Sequence, residues 1–440
     1  MKRVISYLDR FFFEEVSAAG FGLMRIAWAF VVLIFLLGTS GDVVRYYSDA
    51  GILPQDLGYL VFRSEYRFTI LQYITDPTAV ILLWSILVVS LISMMIGIWP
   101  RLMTIISVLL LFSFHERNLQ PLGGGDTVLR TFGLFLMIAP EISAFSVSRL
   151  EKQWKSWKET GKYLKPLKTN IWPYRLLLWQ FLIIYVTSAW DKLQGTMWMD
   201  GTVVEAGFHH THFARWPKEI MDSWAWFSPY AVFYTLVWEF AWILMLVPRE
   251  TWYVLPMWIR RHSLKRWLIL GGLAFHWGIF VLMDVGAFPY AMSTGFIGLL
   301  LDDDWNAFKR MANKRWKGKI IILYDGACGL CQRSIFMVQL MDVLERTKPV
   351  DFRDTTMKSK HAPNVAEADL DRAMHIKTPK GKYFRGFDAF RKLSWNLPSI
   401  KLITPLLYIP GVAPVGRIVY GKIAKRRNVC AGGVCKHTPK

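Results

Sequence analysis

Apolar residues of this chain occur in long runs that are separated by shorter polar and strongly basic segments. About eight of these runs approach the length that an α-helix needs to cross the hydrocarbon core of a bilayer. The runs are Ala19–Gly38, Thr78–Trp99, Met103–Phe114, Thr127–Phe145, Pro173–Lys192, Trp226–Val247, Trp267–Val285 and Phe288–Leu301. The pattern therefore predicts an all-α polytopic membrane helix bundle over residues 19–302.

The segments outside these runs predict three further parts of the chain. Residues 1–18 mix charged and aromatic side chains, which is typical of an amphipathic helix lying on a membrane surface. Residues 303–317 carry many charged side chains and are predicted to be a linker, while residues 318–440 mix short β-branched runs with helical patterns. We therefore expect a multi-domain protein in which a small α/β domain follows the membrane bundle.

Basic residues are concentrated in some of the connecting segments and scarce in others. Segments 149–168, 249–266 and 309–317 are rich in lysine and arginine, whereas 195–225 holds only Arg215 and Lys218. Cytoplasmic loops of membrane proteins carry such an excess of positive charge. With an even number of spans, this distribution predicts that both termini and the C-terminal domain face the cytoplasm.

The amino-acid composition supports a membrane protein and argues against a nucleic-acid-binding protein. Hydrophobic residues make up 53% of the chain, and the formal net charge is +20. A basic protein of this kind can bind nucleic acid. Here the positions of the basic residues between apolar runs are explained by membrane topology, so we expect a lipid bilayer and no nucleic acid as partner. We expect an integral protein of a bacterial inner membrane.

Two cysteines lie where a predicted strand passes into a predicted helix. The strand covers residues 319–323, Cys328 and Cys331 follow, and a helical pattern runs over 334–341. A helix N-terminus stabilises a thiolate, which lowers the thiol pKa and activates the nucleophile. The spacing also allows a disulfide within one helical turn. The sequence therefore predicts thiol-disulfide oxidoreduction, with Cys328 as nucleophile and Cys331 as resolving thiol.

A second pair, Cys430 and Cys435, leaves alternatives open. The four cysteines together match the ligand set of a tetrahedral zinc site, which would make the chain a zinc-binding membrane scaffold. The second pair is also suited to relay electrons to Cys328, or to form a disulfide of its own. Redox chemistry is favoured because a strand, Cys-x-x-Cys and helix in this order are the usual redox context, so no metal is expected.

The region around the first cysteine pair resembles the DCC family of thiol-disulfide oxidoreductases. The resemblance rests on Tyr324, Asp325 and Gly326 before the cysteines, on residues 386–389 and 406–411, and on Tyr420 and Arg426. It implies a thioredoxin-like fold for residues 318–440, with the first three residues supporting the redox motif. It also implies protein or small-molecule thiols and disulfides as partners.

Several ionisable residues lie within or at the ends of the apolar runs, where they are costly and are functional candidates. They are Arg25, Asp126, Arg130, Asp191, Lys192, Glu239, His276 and Asp284. As a group they predict a polar cavity between helices, with Asp126, Asp191, Glu239 and His276 as candidate lining residues. The alternative is separate structural pairing, for example of Glu239 with Arg130, or a Lys192 side chain that extends to the membrane interface.

A second resemblance covers roughly residues 10–305. The segments that carry it are Arg25, 46–54, 117–118, 124–126, 189–193, 198–201, 275–276 and 288–292. They resemble the horizontally transferred transmembrane (HTTM) domain, and 189–193 resembles the active-site segment of vitamin K-dependent gamma-carboxylase. This implies that Lys192 is a base that deprotonates a reduced quinone. The alternative function is therefore a gamma-carboxylase-like or other quinone-dependent enzyme, with a quinone as possible cofactor.

Overall fold

The protein divides into two compact units. The computed structural model describes residues 9–62, 69–246, 264–314, 318–401, 403–425, 429–431 and 434–436. The units are Met1–Asp304 and Trp305–Lys440, and each is described by itself. Parts of the sequence predictions lie outside the described residues, namely 1–8, Val247, most of the basic segment 249–266, linker residues 315–317 and Arg426.

The first unit is almost entirely helical. Its helices are α1 (Ala19–Gly38), α2 (Val43–Tyr47), α3 (Gln55–Phe62), α4 (Pro77–Ile96), α5 (Pro100–Arg117), α6 (Gly124–Ile138), α7 (Val147–Thr160), α8 (Trp172–Lys192), α9 (Thr196–Met199), α10 (Val203–His209), α11 (Lys218–Trp224), α12 (Ser228–Ala241), α13 (Leu264–Leu282) and α14 (Phe288–Gly298). A helix overlaps each of the eight apolar runs, although several bounds differ.

Two boundaries of the predicted helices are wrong. The fourth run was expected to continue to Phe145, but α6 ends at Ile138, because Ala139 takes an extended conformation before Pro140. The predicted surface helix 1–18 is also wrong over its last residues. Residues 9–13 are helical, but strand β1 (Glu15–Ser17) pairs antiparallel with β2 (Lys168–Asn170), which satisfies its backbone in a small sheet.

Three helical segments among the described residues are long and apolar enough to cross a membrane, by length and composition. They are Ala19–Gly38, Pro77–Ile96 and Lys218–Leu246, the last of which combines α11, α12 and the 3₁₀ turns beside them. Large apolar side chains are exposed along α4, among them Leu82, Ile86 and Val89. An apolar outer surface of this kind fits a membrane protein.

The interior of the first unit is built on aromatic side chains and close helix contacts. Phe132, Phe181 and Phe296 are fully buried and lie against one another. A Cβ at Gly295 would stand 2.4 Å from the ring of Phe132, so only glycine permits this approach of α14 to α6. Arg25, a candidate from the sequence, is structural, because its guanidinium donates to backbone carbonyls, including that of Ile142 at 2.9 Å.

The second unit contains a four-stranded mixed sheet. Its strands are β3 (Ile320–Tyr324), β4 (Thr347–Asp351), β5 (His375–Lys377) and β6 (Tyr383–Arg385), in the order β4-β3-β5-β6. β4 is parallel to β3, while β5 is antiparallel to β3 and β6 is antiparallel to β5. The predicted strand 319–323 is thus an inner strand of the sheet, which accounts for its run of isoleucines.

Helix α15 (Asp302–Lys314) occupies the region predicted as linker. Helices also cover both faces of the sheet. The helices after β3 are α16 (Gly329–Met341), α17 (Thr355–His361), α18 (Glu367–Arg372), α19 (Gly386–Ser394), α20 (Thr404–Leu407) and α21 (Val412–Ala424). One core joins the sheet to Ile335 of α16 and Leu393 of α19, and a second joins Leu323 and Val350 to Leu370 of α18. A final pair of strands, β7 (Val429–Ala431) and β8 (Val434–Lys436), places Cys430 opposite Cys435 in backbone register.

Candidate functional site

The two cysteines occupy the turn between β3 and α16. Cys328 is the N-cap residue of α16 in an extended conformation, and its carbonyl accepts from the backbone N–H of Gln332 at 2.9 Å. Cys331 lies in the first turn of the same helix, which begins earlier than the predicted 334–341 pattern. The sequence prediction of a strand, a cysteine turn and a helix is confirmed in this arrangement. It places the Cys328 side chain at the positive end of the helix dipole.

Asp325 shapes this turn and is held in place by an arginine. Its carboxylate accepts from the backbone N–H of Ala327 at 3.0 Å, and its carbonyl accepts from the N–H of Cys328 at 3.2 Å. Arg353, just beyond β4, donates to this carboxylate and also to Glu367 and Asp371. Hydrogen bonding to Asp325 is the main cause that raises the pKa of Arg353 above its usual value. The buried acid is therefore compensated by a permanent positive charge.

Gly326 is required by the close approach of a second carboxylate. Its N–H donates to Oδ1 of Asp351 at 3.0 Å, and a Cβ at this position would stand 1.9 Å from Oδ2 of Asp351. Any side chain at residue 326 would push the turn away from the end of β4. The Tyr-Asp-Gly segment predicted to support the redox motif thus fixes the backbone just before Cys328.

Both cysteines are buried thiols beside a small apolar cavity. Cys328 is 2% exposed and Cys331 is 4% exposed. A cavity of about 210 Å³ is lined by Cys331, Leu330, Met374, Phe390 and, from the closing helix α21, Tyr420. Tyr324 contributes a further wall, and burial raises the pKa of its phenol, which stays neutral at ordinary pH. The cavity reaches the pair from the Cys331 side and accepts an apolar group.

Two polar contacts hold the closing helix α21 against the rest of its domain. The Tyr420 hydroxyl accepts from the backbone N–H of Met374 at 2.9 Å. The carboxylate of Asp388 on α19 accepts a hydrogen bond from Arg417 on α21, with a distance of 2.9 Å between Nε and Oδ2. The hydrogen bond from Arg417 is the main cause that lowers the pKa of Asp388, with a smaller effect from Arg391. These contacts give a structural role to the segment 386–389 and to Tyr420, both of which carry the predicted family resemblance.

In the first unit, two of the ionisable candidates form a buried ion pair. Nζ of Lys192, at the end of α8, donates to Oε1 of Glu239 on α12. Glu239 is 3% exposed, and its other oxygen has no hydrogen-bond partner among the described residues. The ammonium also lies 5.0 Å from the ring centre of Trp198. The alternative pairing of Glu239 with Arg130 is wrong, because Arg130 binds Glu116 instead.

His276 lies beside this pair and is bonded to a residue of α8. Its Nε2 and the hydroxyl of Tyr185 are 2.8 Å apart, and its Nδ1 has no hydrogen-bond partner in the described part of the chain. Trp238 packs edge-on against Tyr185 with ring centres 4.6 Å apart. Polar groups from α8, α12 and α13 therefore meet within aromatic walls.

The other candidates lie apart from this cluster. Asp191 is exposed at the end of α8. Asp126 lies at the start of α6, where it accepts from the N–H of Gly123 at 2.8 Å, and it lines a cavity of about 820 Å³. Buried His115 and exposed Asp284 line the same cavity, and Nδ1 of His115 has no hydrogen-bond partner among the described residues.

Three residues that the structure brings into these sites were not identified from the sequence. Tyr185 is one of many aromatic residues in an apolar run and carries no distinguishing signal. His115 lies at the end of a run, so it resembles an interface residue. Arg353 lies two residues after the end of β4, and its position just beyond a strand that is parallel to β3 was the one usable signal. Among the described residues, no cluster of three metal-ligating side chains occurs, while the side chains of Cys430 and Cys435 lie outside them.

Comparison with known proteins identifies part of the second unit. Residues 322–432 match the family model of the DCC1-like thiol-disulfide oxidoreductases. No curated protein and no solved structure matches the chain. The match includes Cys328, Cys331 and the turn before them, and it confirms the resemblance predicted for the C-terminal part of the sequence.

Proposed function

We propose that the protein is a membrane-bound thiol-disulfide oxidoreductase in which Cys328 is the nucleophile and Cys331 the resolving thiol. The family match over residues 322–432 supports the reaction class. The observation that carries the assignment of roles is the N-cap position of Cys328 on α16. There the helix dipole favours the thiolate, which is the attacking species. The order and directions of the four strands support a thioredoxin-like fold for this unit.

The reaction needs only the two cysteines and a substrate disulfide. The Cys328 thiolate attacks one substrate sulfur, which forms a mixed disulfide and releases the other substrate sulfur as a thiolate that takes up a proton. The Cys331 thiolate then attacks Cys328, releases the second substrate thiol and leaves a Cys328–Cys331 disulfide. Two electrons pass to the substrate, and the reverse sequence oxidises a substrate dithiol. The apolar cavity beside Cys331 favours substrates with an apolar group near the sulfur.

The assignment is tested by trapping the mixed disulfide in the full chain in detergent micelles. A glutathione mixed disulfide of a fluorescent peptide serves as substrate. We expect Cys331→Ser to accumulate a mixed disulfide on Cys328 and Cys328→Ser to lose turnover. The control Cys430→Ser/Cys435→Ser should retain turnover. A mixed disulfide that accumulates on Cys331 in the Cys328→Ser variant would reverse the roles, and turnover in the double variant Cys328→Ser/Cys331→Ser would reject the site.

We further propose that the first unit is an HTTM-like bundle that crosses a membrane and binds a lipid-soluble molecule such as a quinone. The three long apolar helices and the exposed apolar side chains of α4 support the membrane location. The cavity of about 820 Å³ in this unit has the size of a small-molecule site. The basic segment 149–168 supports a cytoplasmic location for that segment and, with an even number of spans, for the redox unit as well.

Topology is tested with single cysteines in a cysteine-free background. We expect residues near Lys158 and residues of 318–440 to react with a membrane-impermeant reagent from the cytoplasmic side. Residues of 195–225 should react from the opposite side. Labelling of Lys158→Cys and of a residue in 195–225 from the same side would contradict the orientation.

A second candidate function is a quinone-dependent activity with Lys192 as base. The Lys192–Glu239 pair, with Tyr185 and His276 beside it inside aromatic walls, favours it. A base must release a proton, and arginine does not do so at accessible pH. We expect Lys192→Arg to keep the fold and lose quinone turnover, while thiol exchange by Cys328 continues. Full quinone turnover in this variant would make Lys192 a structural cation.

A further inference from the structure

The end of the second unit presents an apolar surface that is exposed among the described residues of its domain. We call this surface the closing face. It consists of Ile403, Leu406, Ile409, Val415, Ile418, Val419 and Ile423, all of which are exposed. Leu406 is 58% exposed, and Val415 and Ile418 are each 61% exposed. Large apolar side chains that are exposed together along one short stretch of chain are typical of a contact surface.

The part of the closing face on α21 lies on a different side of that helix from the side fixed to the domain. On α21, Gly416 and Tyr420 face inward. A Cβ at Gly416 would stand 2.3 Å from the ring of Phe387, and the Tyr420 hydroxyl is bonded to the backbone of Met374. Residues four apart share one side of a helix, so Val415 and Val419 lie together on another side. Because the inner contacts are made by other residues, the outward orientation of the apolar side chains is set by the fold.

The charged side chains in the part of the sequence that carries the closing face are all positive. The last acidic side chain of the chain is Asp388, and residues 389–440 contain ten lysines and arginines with no aspartate or glutamate. On α21 and just after it, Lys422 and Lys425 are exposed beside the apolar side chains. An apolar surface with a basic border is complementary to the interface of a bilayer that contains anionic lipids.

We propose that the closing face docks on the surface of an anionic phospholipid bilayer, with its apolar side chains in the interface and its lysines at the headgroups. The proposal rests on residues of the second unit alone. Ile423 and its neighbour Ala424 also line the cavity beside Cys331. Docking therefore holds the cavity beside Cys331 close to the bilayer, where the cavity meets thiols or disulfides of membrane-embedded and lipid-linked partners.

The test uses nitroxide labels on the full chain reconstituted in vesicles of phosphatidylcholine and phosphatidylglycerol. Single cysteines replace Val419 on the closing face and Lys380 on the exposed turn between β5 and β6, in a background with all four native cysteines changed to serine. We expect the label at residue 419 to collide with dissolved oxygen in preference to an aqueous nickel chelate. The label at residue 380 should show the reverse preference. Adding Lys422→Glu and Lys425→Glu should move the label at residue 419 toward the chelate.

Three outcomes would overturn the proposal. A label at residue 419 as accessible to the chelate as the label at residue 380 would place the closing face in water. A label shielded from both reagents would mean that protein covers the face. Dipolar coupling between the residue-419 labels of two molecules would then identify the covering protein as a second copy of the chain. Absence of this coupling would identify it as the membrane unit of the same chain. A further label at Val89 on α4 reports the bilayer independently, so failure of the membrane assignment is distinguished from failure of docking.

Discussion

Arg353 donates to both carboxylate oxygens of Asp325, from Nε at 3.3 Å and from Nη2 at 3.0 Å. Asp325 organises the backbone just before Cys328, so its negative charge lies close to a thiol that must ionise. An uncompensated carboxylate there would oppose formation of the thiolate. Because Arg353 neutralises this charge, the Asp325 carboxylate can accept hydrogen bonds in the turn without opposing ionisation of Cys328.

Removal of Arg353 should impair both thiol ionisation and stability. We expect Arg353→Met to raise the thiol pKa of Cys328 and slow thiol exchange, and to destabilise the unit by about 2 kcal/mol because a buried carboxylate loses its partner. Alkylation rates as a function of pH measure the first effect. The double variant Arg353→Met/Asp325→Asn should regain much of the thiol ionisation, and exposed Arg372→Met is the matched control. An unchanged alkylation profile in Arg353→Met would contradict this role.

Two glycines of the cysteine turn should respond differently to alanine. At Gly326 the new Cβ would meet Asp351 Oδ2 at 1.9 Å, whereas at Gly329 no atom lies within 4 Å. We expect Gly326→Ala to lose most thiol exchange. Gly329→Ala should retain it and change stability by less than about 1 kcal/mol. Thiol-exchange kinetics and thermal unfolding of the two variants measure this difference. Equal activity and stability of the two variants would show that the contact with Asp351 is unimportant.

The buried ion pair of the first unit should show strong coupling in a double-mutant cycle. Lys192→Met leaves Glu239 buried without its cation and should destabilise the protein by about 3 kcal/mol. Glu239→Gln in the same chain removes the isolated charge, so the double variant should be more stable than Lys192→Met alone. Thermal unfolding in detergent micelles measures the cycle. Additive losses would show that the two side chains do not depend on each other.

The contact between α19 and α21 should weaken in acid. Because Arg417 lowers the pKa of Asp388, the carboxylate stabilises the fold above its unfolded pKa of about 3.9, and this stability is lost as the pH falls through the lower folded pKa. Asp388→Asn should accelerate amide exchange in 412–424 at pH 7, equivalent to about 0.5–1 kcal/mol after solvent screening. The difference from wild type should vanish in strong acid, and the control Asp369→Asn, at a partly buried acid of α18, should show none at any pH.

Local sequence was sufficient to locate the redox site. A β-branched apolar run followed by Gly326, Cys328 and Cys331 and then by a helical pattern determines a strand, a turn and a helix with the cysteines at its start. Each of these features depends on neighbouring residues, so periodicity and residue type are enough. The same holds for the apolar runs, which predicted the positions of the helices in the first unit, although proline and strand pairing changed two of their boundaries.

Tertiary structure alone decided which distant side chains meet. Glu239 lies 47 residues from Lys192, and Arg353 lies 28 residues from Asp325. The sequence does not show whether Glu239 pairs with Lys192 or with Arg130, because both side chains carry a positive charge. Only the packing of α8 against α12 brings Lys192 within reach of Glu239. The fold likewise turns Gly416 and Tyr420 inward and leaves Val415 and Val419 outside. Side-chain pattern specifies local structure, whereas partner choice depends on the packing of elements that are remote along the chain.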